Sequence, residues 1–228
     1  MARALDLEPV DLVRARQVHG TTVLVARAPG PAAGLPADII VTDRSGMGLA
    51  VQAADCAALL LADRRTGAVA AAHAGWRGMA ARVPSAAVAA MTREFGSVAG
   101  DLVAAIGPSV GACCYEVGVD VREQFEAAGF ARDHLARWFA DEPVRLDRNP
   151  PLGALARPPR AHHWFFDGWA ATREQLIDAG VPCDQVFLAE LCTASHAGVF
   201  PSYRRDGPTA GRIAGAIRRG RPSVPSAK

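Results

Sequence analysis

The stretch from Met47 to His73 constrains the fold most. It holds three short apolar runs, GLAVQA, AALLLAD and GAVAAAH, each bounded by Gly, Asp or Arg-Thr-Gly. Runs this short and this continuous read as buried β-strands, because a strand with one wet face would alternate apolar and polar side chains. The turn Asp63-Arg64-Arg65-Thr66-Gly67 joins the second run to the third and suits a hairpin.

Further elements follow the same logic. A helix is expected from Val83 to Phe95, with Pro84 tolerated in its first turn and Gly96 at its end. DLVAAIGPS reads as a strand entering a Gly/Pro turn, and QVFLAE as another strand. EVGVDVREQFEAAG spaces Val117, Val121, Phe125 and Ala128 as a helix closed by Gly129, and WFFDGWAATREQLIDAG behaves alike with Gly180 as its stop. Between them, DEPVRLDRNPPLGALARPPRAHH is rich in Pro and Arg and is expected to run over the surface. No repeat period emerges. At 228 residues and 50% hydrophobic composition the chain reads as one domain over 1–217, with a disordered basic tail over 218–228.

Composition also removes classes of function. Lys and Arg number 25 against 23 Asp and Glu, an excess too small to make nucleic acid or an acidic membrane the main partner. No run reaches the length of a membrane span, and MARALDLEPVDLVRARQ lacks the apolar centre of a signal peptide, so the cytoplasm is the expected location. The five cysteines form no even framework of spacings. Each thiol is therefore a small buried hydrophobe, a ligand or a nucleophile.

Three segments place a metal-capable side chain beside small or turn-forming residues: Gln17-Val18-His19-Gly20, Ala54-Asp55-Cys56, and His73-Ala74-Gly75-Trp76-Arg77-Gly78. Two imidazoles and a thiolate suit Zn²⁺, whose catalytic sites use three protein ligands and leave one position open. Their spacing matches no compact zinc motif, so spacing alone does not join them. Asp55 is either an acceptor that orients an imidazole or substrate hydroxyl, or a turn residue at a strand end. Arg77 sits where a guanidinium could grip an anion near the metal, or merely in a Gly-lined turn. Arg204 and Arg205 are a second anion clamp or two solvated arginines. Cys113 and Cys114, being adjacent, are expected to point apart and to serve as packing or site-wall residues, and His196, His162 and His163 are expected at the surface.

The segments RQVHG (16–20), PADIIVTD (36–43), AVQAADCAALLLAD (50–63), AAHAGWRG (71–78), AIGPSVGACCYEVG (105–118) and FPSYRRDGPTAGR (200–212) keep their order over most of the chain. In them the sequence resembles the laccase-domain family, whose members are variously called multicopper polyphenol oxidases, peptidoglycan editing factors and purine nucleoside phosphorylases. The resemblance implies a metal triad at His19, Cys56 and His73, and a mixed α/β (α+β) single domain of packed mixed β-sheets flanked by helices. Family members usually carry a further segment before the Gln-Val-His-Gly motif, here reached at Gln17. Either the start codon lies further upstream or an edge of the sheet is lost, and the second alternative is expected to remove site wall and substrate contacts.

The activity implied is zinc-dependent phosphorolysis of adenosine, inosine and methylthioadenosine, with adenosine deamination at the same metal. Purine nucleosides and phosphate are then the partners, and the chain a monomer or homodimer. Asp55 and Arg77 are the expected catalytic residues, and Gln17, Asp38, Arg204 and Arg205 the expected substrate contacts, with Asp55 and then Asp38 as candidate acid or base. Two other classes compete: a cysteine hydrolase or amidase of peptidoglycan editing, with Cys56 as nucleophile and His73 as base, and a polyphenol oxidase with Cu²⁺ in place of Zn²⁺. Six histidines, only two of them in matched motifs, do not furnish the further copper centres an oxidase needs. A pure binding module is a fourth reading.

Overall fold

A computed structural model of the chain describes residues 1–30, 34–150 and 160–220. Its strands begin with β1 (Leu12–Val13), β2 (Val23–Val25), β3 (Ile39–Thr42), β4 (Gly48–Ala53), β5 (Ala57–Asp63) and β6 (Val69–Ala74). They continue with β7 (Leu102–Ile106), β8 (Glu116–Gly118), β9 (Phe139–Ala140), β10 (His163–Phe166), β11 (Val186–Leu188) and β12 (Ile213–Arg218). The helices are α1 (Trp76–Ala80), α2 (Val83–Phe95), α3 (Val119–Ala127), α4 (Arg132–Trp138), α5 (Gly168–Asp178) and α6 (Tyr203–Asp206).

The three apolar runs are β4, β5 and β6. Strands β5 and β6 pair as a hairpin, Ala62 opposite Val69, inside a six-stranded sheet of order β11-β7-β5-β6-β3-β2. Strand β4 instead centres a second sheet, parallel to β1 and antiparallel to β12. A third, antiparallel sheet has the order β8-β10-β9. The fold is thus mixed α/β, as expected.

Alternation along the large sheet shows why its strands carry no polar face. Ile39, Val41, Leu59, Leu61, Ala70 and Ala72 point to the side covered by α2 and α5, in the larger core. Their neighbours Ile40, Ala58, Val69 and Ala71 point the other way, onto Leu49 and Val51 of the second sheet. Period-2 geometry makes both sets apolar because both faces are covered. The two sheets approach closely where side chains are smallest: a Cβ added at Gly215 would stand 2.5 Å from the Cβ of Ala58.

Helix α2 has the expected bounds, with Gly96 as a left-handed C-cap at φ 65. Two expected helices begin later than their periodicity suggested. Glu116–Gly118 is strand β8, paired to β10, and Gly118 is the extended N-cap from which α3 starts. His163–Phe166 is strand β10, and Asp167 starts α5 by accepting the N–H groups of Trp169 and Ala170. Part of the Pro/Arg segment turns inward. Asn149 is buried, accepting the Cys192 N–H and donating to the Glu190 carbonyl. The expected boundary after residue 217 falls inside β12, and the Arg219 guanidinium donates to the carbonyls of Asp43 and Thr66. Residues 151–159 of the Pro/Arg segment and 221–228 of the expected tail lie outside the described residues. Among the described residues no helix is long and apolar enough to cross a membrane.

The approach at Gly215 is testable. Gly215→Ala should destabilise the protein by about 1–3 kcal/mol, because the Ala58 methyl cannot retreat from between two sheets. For a chain of this size that lowers Tm by roughly 2–10 °C. Gly100→Ala, where nothing lies within 4 Å of the added carbon, is the control and should leave Tm nearly unchanged. Equal melting of the two variants would show that the sheets are not in contact there.

Candidate metal centre

Strand pairing assembles the site. His73 lies on β6 on the same face as Val69 and Ala71, turned toward the second sheet. Ala58 of β5 is its cross-strand partner, and Cys56, two residues earlier, falls on that face by alternation. On the other side Ile39 pairs with Ala72, so Asp38 falls opposite His73, and its carbonyl accepts the His73 N–H at 2.8 Å. Asp38, Cys56 and His73 therefore meet at one end of the large sheet.

His19 arrives from a loop rather than a strand. The N–H groups of Val18, His19 and Gly20 all donate to the Asp38 carboxylate, at 3.1, 3.0 and 2.8 Å. These bonds hold His19 in the left-handed region, φ 61, a conformation that costs a β-carbon residue about 1–3 kcal/mol and needs such support. Asp38 Oδ1 also lies 2.8 Å from His73 Nδ1. An ionised carboxylate only accepts, so Nδ1 carries the proton and Nε2 turns its lone pair to the cluster. Burial alone would raise the Asp38 pKa, but the bonds from His73, Gly20 and Val18 hold it below its ordinary value.

The ligand atoms of His19, Cys56 and His73 lie within 4.8 Å of one another, and Cys56 Sγ is 3.9 Å from His19 Nε2. Sulfur and nitrogen ligands of one tetrahedral zinc stand roughly 3.5 Å apart. Closing the Cys56–His19 pair on such an ion therefore takes a shift of a few tenths of an ångström, and the donor set fits. Gly75 makes room for it: a Cβ there would come within 2.9 Å of Cys56 Sγ and 3.0 Å of His19 Cδ2. Burial opposes ionisation of Cys56, yet hydrogen bonds from His19 and His73 bring its pKa down to about 7. Burial likewise works against charge on His73, but Asp38 and Cys56 raise it to about 9. Without a metal, and between those two pKa values, the pair is a thiolate beside an imidazolium, whose Nε2 proton leaves when His73 ligates.

The triad forms the floor of a cleft of about 820 Å³, also lined by Arg16, Arg77, Arg204 and Arg212. Arg77, on α1, is exposed and its guanidinium stacks on Trp76, 4.3 Å from the ring centroid. Arg204 lies over Tyr115, 5.1 Å from the centroid. Asp55, the carboxylate lining this cleft, is engaged: it accepts from Thr193 Oγ1 at 2.6 Å and from the Arg204 N–H at 2.5 Å, with its own backbone at φ 83. It holds the Arg204 arm against the floor. Four arginines thus line the cleft, of which Arg212 also donates to the carbonyls of Ala210 and Gly211.

Three expected substrate contacts are placed differently. Asp38 has no exposure, and both its oxygens are taken by the His19 loop and His73. Gln17 lines the cleft, but its side-chain amide clamps the backbone of Gln52 at 2.7 and 2.8 Å. The Arg205 guanidinium is consumed by the carbonyls of Thr193, Ala194 and Phe200 and by Asp206, so it leaves the clamp to Arg204. Tyr115, Trp76, Arg212 and Thr193 were not singled out by sequence. Tyr115, Trp76 and Arg212 lie within quoted motifs, but nothing local separates them from structural residues there. Cys113 and Cys114, expected to point apart, bring their sulfurs to 3.5 Å.

A purine nucleoside phosphorylase of Bacteroides thetaiotaomicron is 38% identical over 180 residues, 79% of this chain and 60% of that protein. The chain therefore spans less than two thirds of that relative. Adenosine deaminase RL5, from an unknown prokaryotic organism, is 33% identical over 96% of this chain and 79% of its own length. The crystal structure of the hypothetical protein YfiH of Bacillus licheniformis superposes with a TM-score of 0.82 at 27% identity, covering 96% of this chain and 78% of that one. With the family model matching residues 1–220, the chain belongs to the multi-copper polyphenol oxidoreductase laccase family.

Proposed function

We propose that this chain is a zinc-dependent purine nucleoside phosphorylase, with adenosine deamination as a second reaction of the same centre. The observation that carries the reading is a His/Cys/His triad on the floor of a cleft walled by four arginines. The relatives named purine nucleoside phosphorylase and adenosine deaminase support the substrate class.

Bound zinc would supply a Lewis acid against which negative charge on an oxygen can develop. The chain's own groups do the rest. Arg77 and Arg204 grip phosphate and align it on the anomeric carbon, so that a C–O bond forms as the glycosidic C–N bond breaks. The departing base ends with the proton that the attacking phosphate loses. Tyr115, whose pKa is pushed up by burial and by Cys56, keeps its phenolic proton and remains a hydrogen-bond donor to that end of the cleft. Asp38 and Asp55 act by position, the first on both histidines and the second on Arg204. One observation favours a second reading: the Cys56 thiolate beside protonated His73 is also the resting state of a cysteine hydrolase. Metal content separates the two, since zinc on Cys56 occupies the nucleophile.

The purified protein should carry about one zinc per chain. Cys56→Ala should abolish it, and Gly75→Ala should weaken it by crowding Cys56 and His19. Ligation needs His73 neutral, while its pKa is about 9 and that of Cys56 about 7. Between those values zinc uptake should release about one proton, with affinity rising about tenfold per pH unit. Elemental analysis showing full zinc in Cys56→Ala, or affinity independent of pH, would remove this assignment.

Chromatography of adenosine, inosine and methylthioadenosine incubated with and without phosphate identifies the reaction. Free base appearing only with phosphate is the expected result. Inosine made from adenosine without phosphate would mark deamination, and no turnover of any of them would return the hydrolase reading. In that assay Arg77→Lys should keep its zinc and lose about tenfold to a hundredfold in phosphate use, as expected for losing about 1.5–3 kcal/mol of bidentate contact. Unchanged phosphate dependence would move the grip to Arg204 and Arg212.

A further inference from the structure

A second sulfur cluster lies outside the triad. The ligand atoms of Cys113, Cys114 and Cys192 are within 4.8 Å of one another. The chain builds this deliberately from two segments. After Ser109 the backbone turns so tightly that the N–H groups of Cys114 and Tyr115 both return to the Gly111 carbonyl at 2.9 Å, and the adjacent thiols finish 3.5 Å apart. Cys192 comes from the far segment through the bridge Ser109↔Cys192. Asn149 accepts its N–H at 2.8 Å, and His196 N–H and Ser195 Oγ donate to its carbonyl, each at 3.2 Å. Its sulfur in turn accepts the Gly111 N–H at 3.3 Å.

Donor type and donor number select the ligand. Among the described residues no imidazole or carboxylate joins the three sulfurs, and thiolate-only sites favour soft metals. A structural zinc closes its shell with four protein ligands, one more than this cluster offers. Thiolates sharing one metal at roughly 2.3 Å stand about 4 Å apart, and here Cys113 and Cys114 stand 3.5 Å apart with all three sulfurs within 4.8 Å. Cys114 and Cys192 are 3% and 0% exposed, which keeps water from a fourth position, while Cys113 is only half-buried and provides the way in.

We propose that Cys113, Cys114 and Cys192 form a second, all-sulfur site for a soft monovalent cation of the copper(I) class. Each thiol that ligates yields its proton to solvent. The site would tie together two walls of the cleft. Cys114 precedes Tyr115, and Cys192 precedes Thr193, whose hydroxyl donates to Asp55 at 2.6 Å.

The test uses the full chain carrying Cys56→Ser, which removes the triad's thiolate, kept reduced and free of oxygen. Copper(I) is titrated against a chromophoric copper(I) chelator, and the bound ion is examined by X-ray absorption at the copper edge. One copper per chain in an all-sulfur, three-coordinate shell is the expected result. Adding Cys113→Ser should weaken retention by at least about tenfold and leave two sulfurs. Cys113 is the residue to change because it is half-buried, and a matching melting curve shows that the double variant folds. Failure to hold copper against the chelator, nitrogen or oxygen in the shell, or retention unaffected by Cys113→Ser would overturn the proposal.

Discussion

The buried Asp38 carboxylate is the contact on which the site depends. It lies one residue before β3, where sheet pairing already sets it opposite His73, and its oxygens draw in the N–H groups of Val18, His19 and Gly20. One side chain therefore fixes a strand-borne imidazole and a loop-borne one. A buried carboxylate without partners would cost several kcal/mol and become protonated. Here four donors answer it, and the answer is the geometry of the triad. The strain at His19 follows from the same bonds, since the loop curls left-handed to aim three successive amides at one acceptor.

What the sequence made legible followed from short-range periodicity. Strands β5 and β6, helix α2 with its Gly96 cap, and strand β7 could be read because each depends on residues within its own span. Sheet membership could not. GLAVQA looks like its two neighbours, yet it pairs with β1 and β12, because partner choice depends on residues far along the chain. β8 was hidden for a related reason: Val117 is in register with the helical spacing of α3, and only pairing with β10 makes it a strand.

The arginines show the same limit more sharply. Arg204 and Arg205 are identical in type and adjacent, and nothing local separates them. Yet α6 turns one over Tyr115 in the cleft and sends the other into the carbonyls of 193–200. Ser202, the N-cap of α6, accepts the Arg205 N–H, while Asp55 accepts the Arg204 N–H. These anchors set which guanidinium faces the cleft. A charge run is thus readable as a candidate anion site, but its division into structural and binding residues belongs to the backbone that carries it.

The two thiol environments differ for an electrostatic reason that bears on both sites. Cys56 sits among imidazoles, which supply positive charge and bring its pKa to about 7. Cys114 sits among sulfurs, and its hydrogen bonds to Cys113 and Cys192 push it upward. An ion that arrives at the triad meets a thiol close to its ionised state, and the proton it must displace is the one held on His73. One that arrives at three thiols must displace protons from sulfur, which only a metal with high sulfur affinity does at neutral pH. Donor type therefore favours hard and borderline ions at the triad and soft ones among the sulfurs.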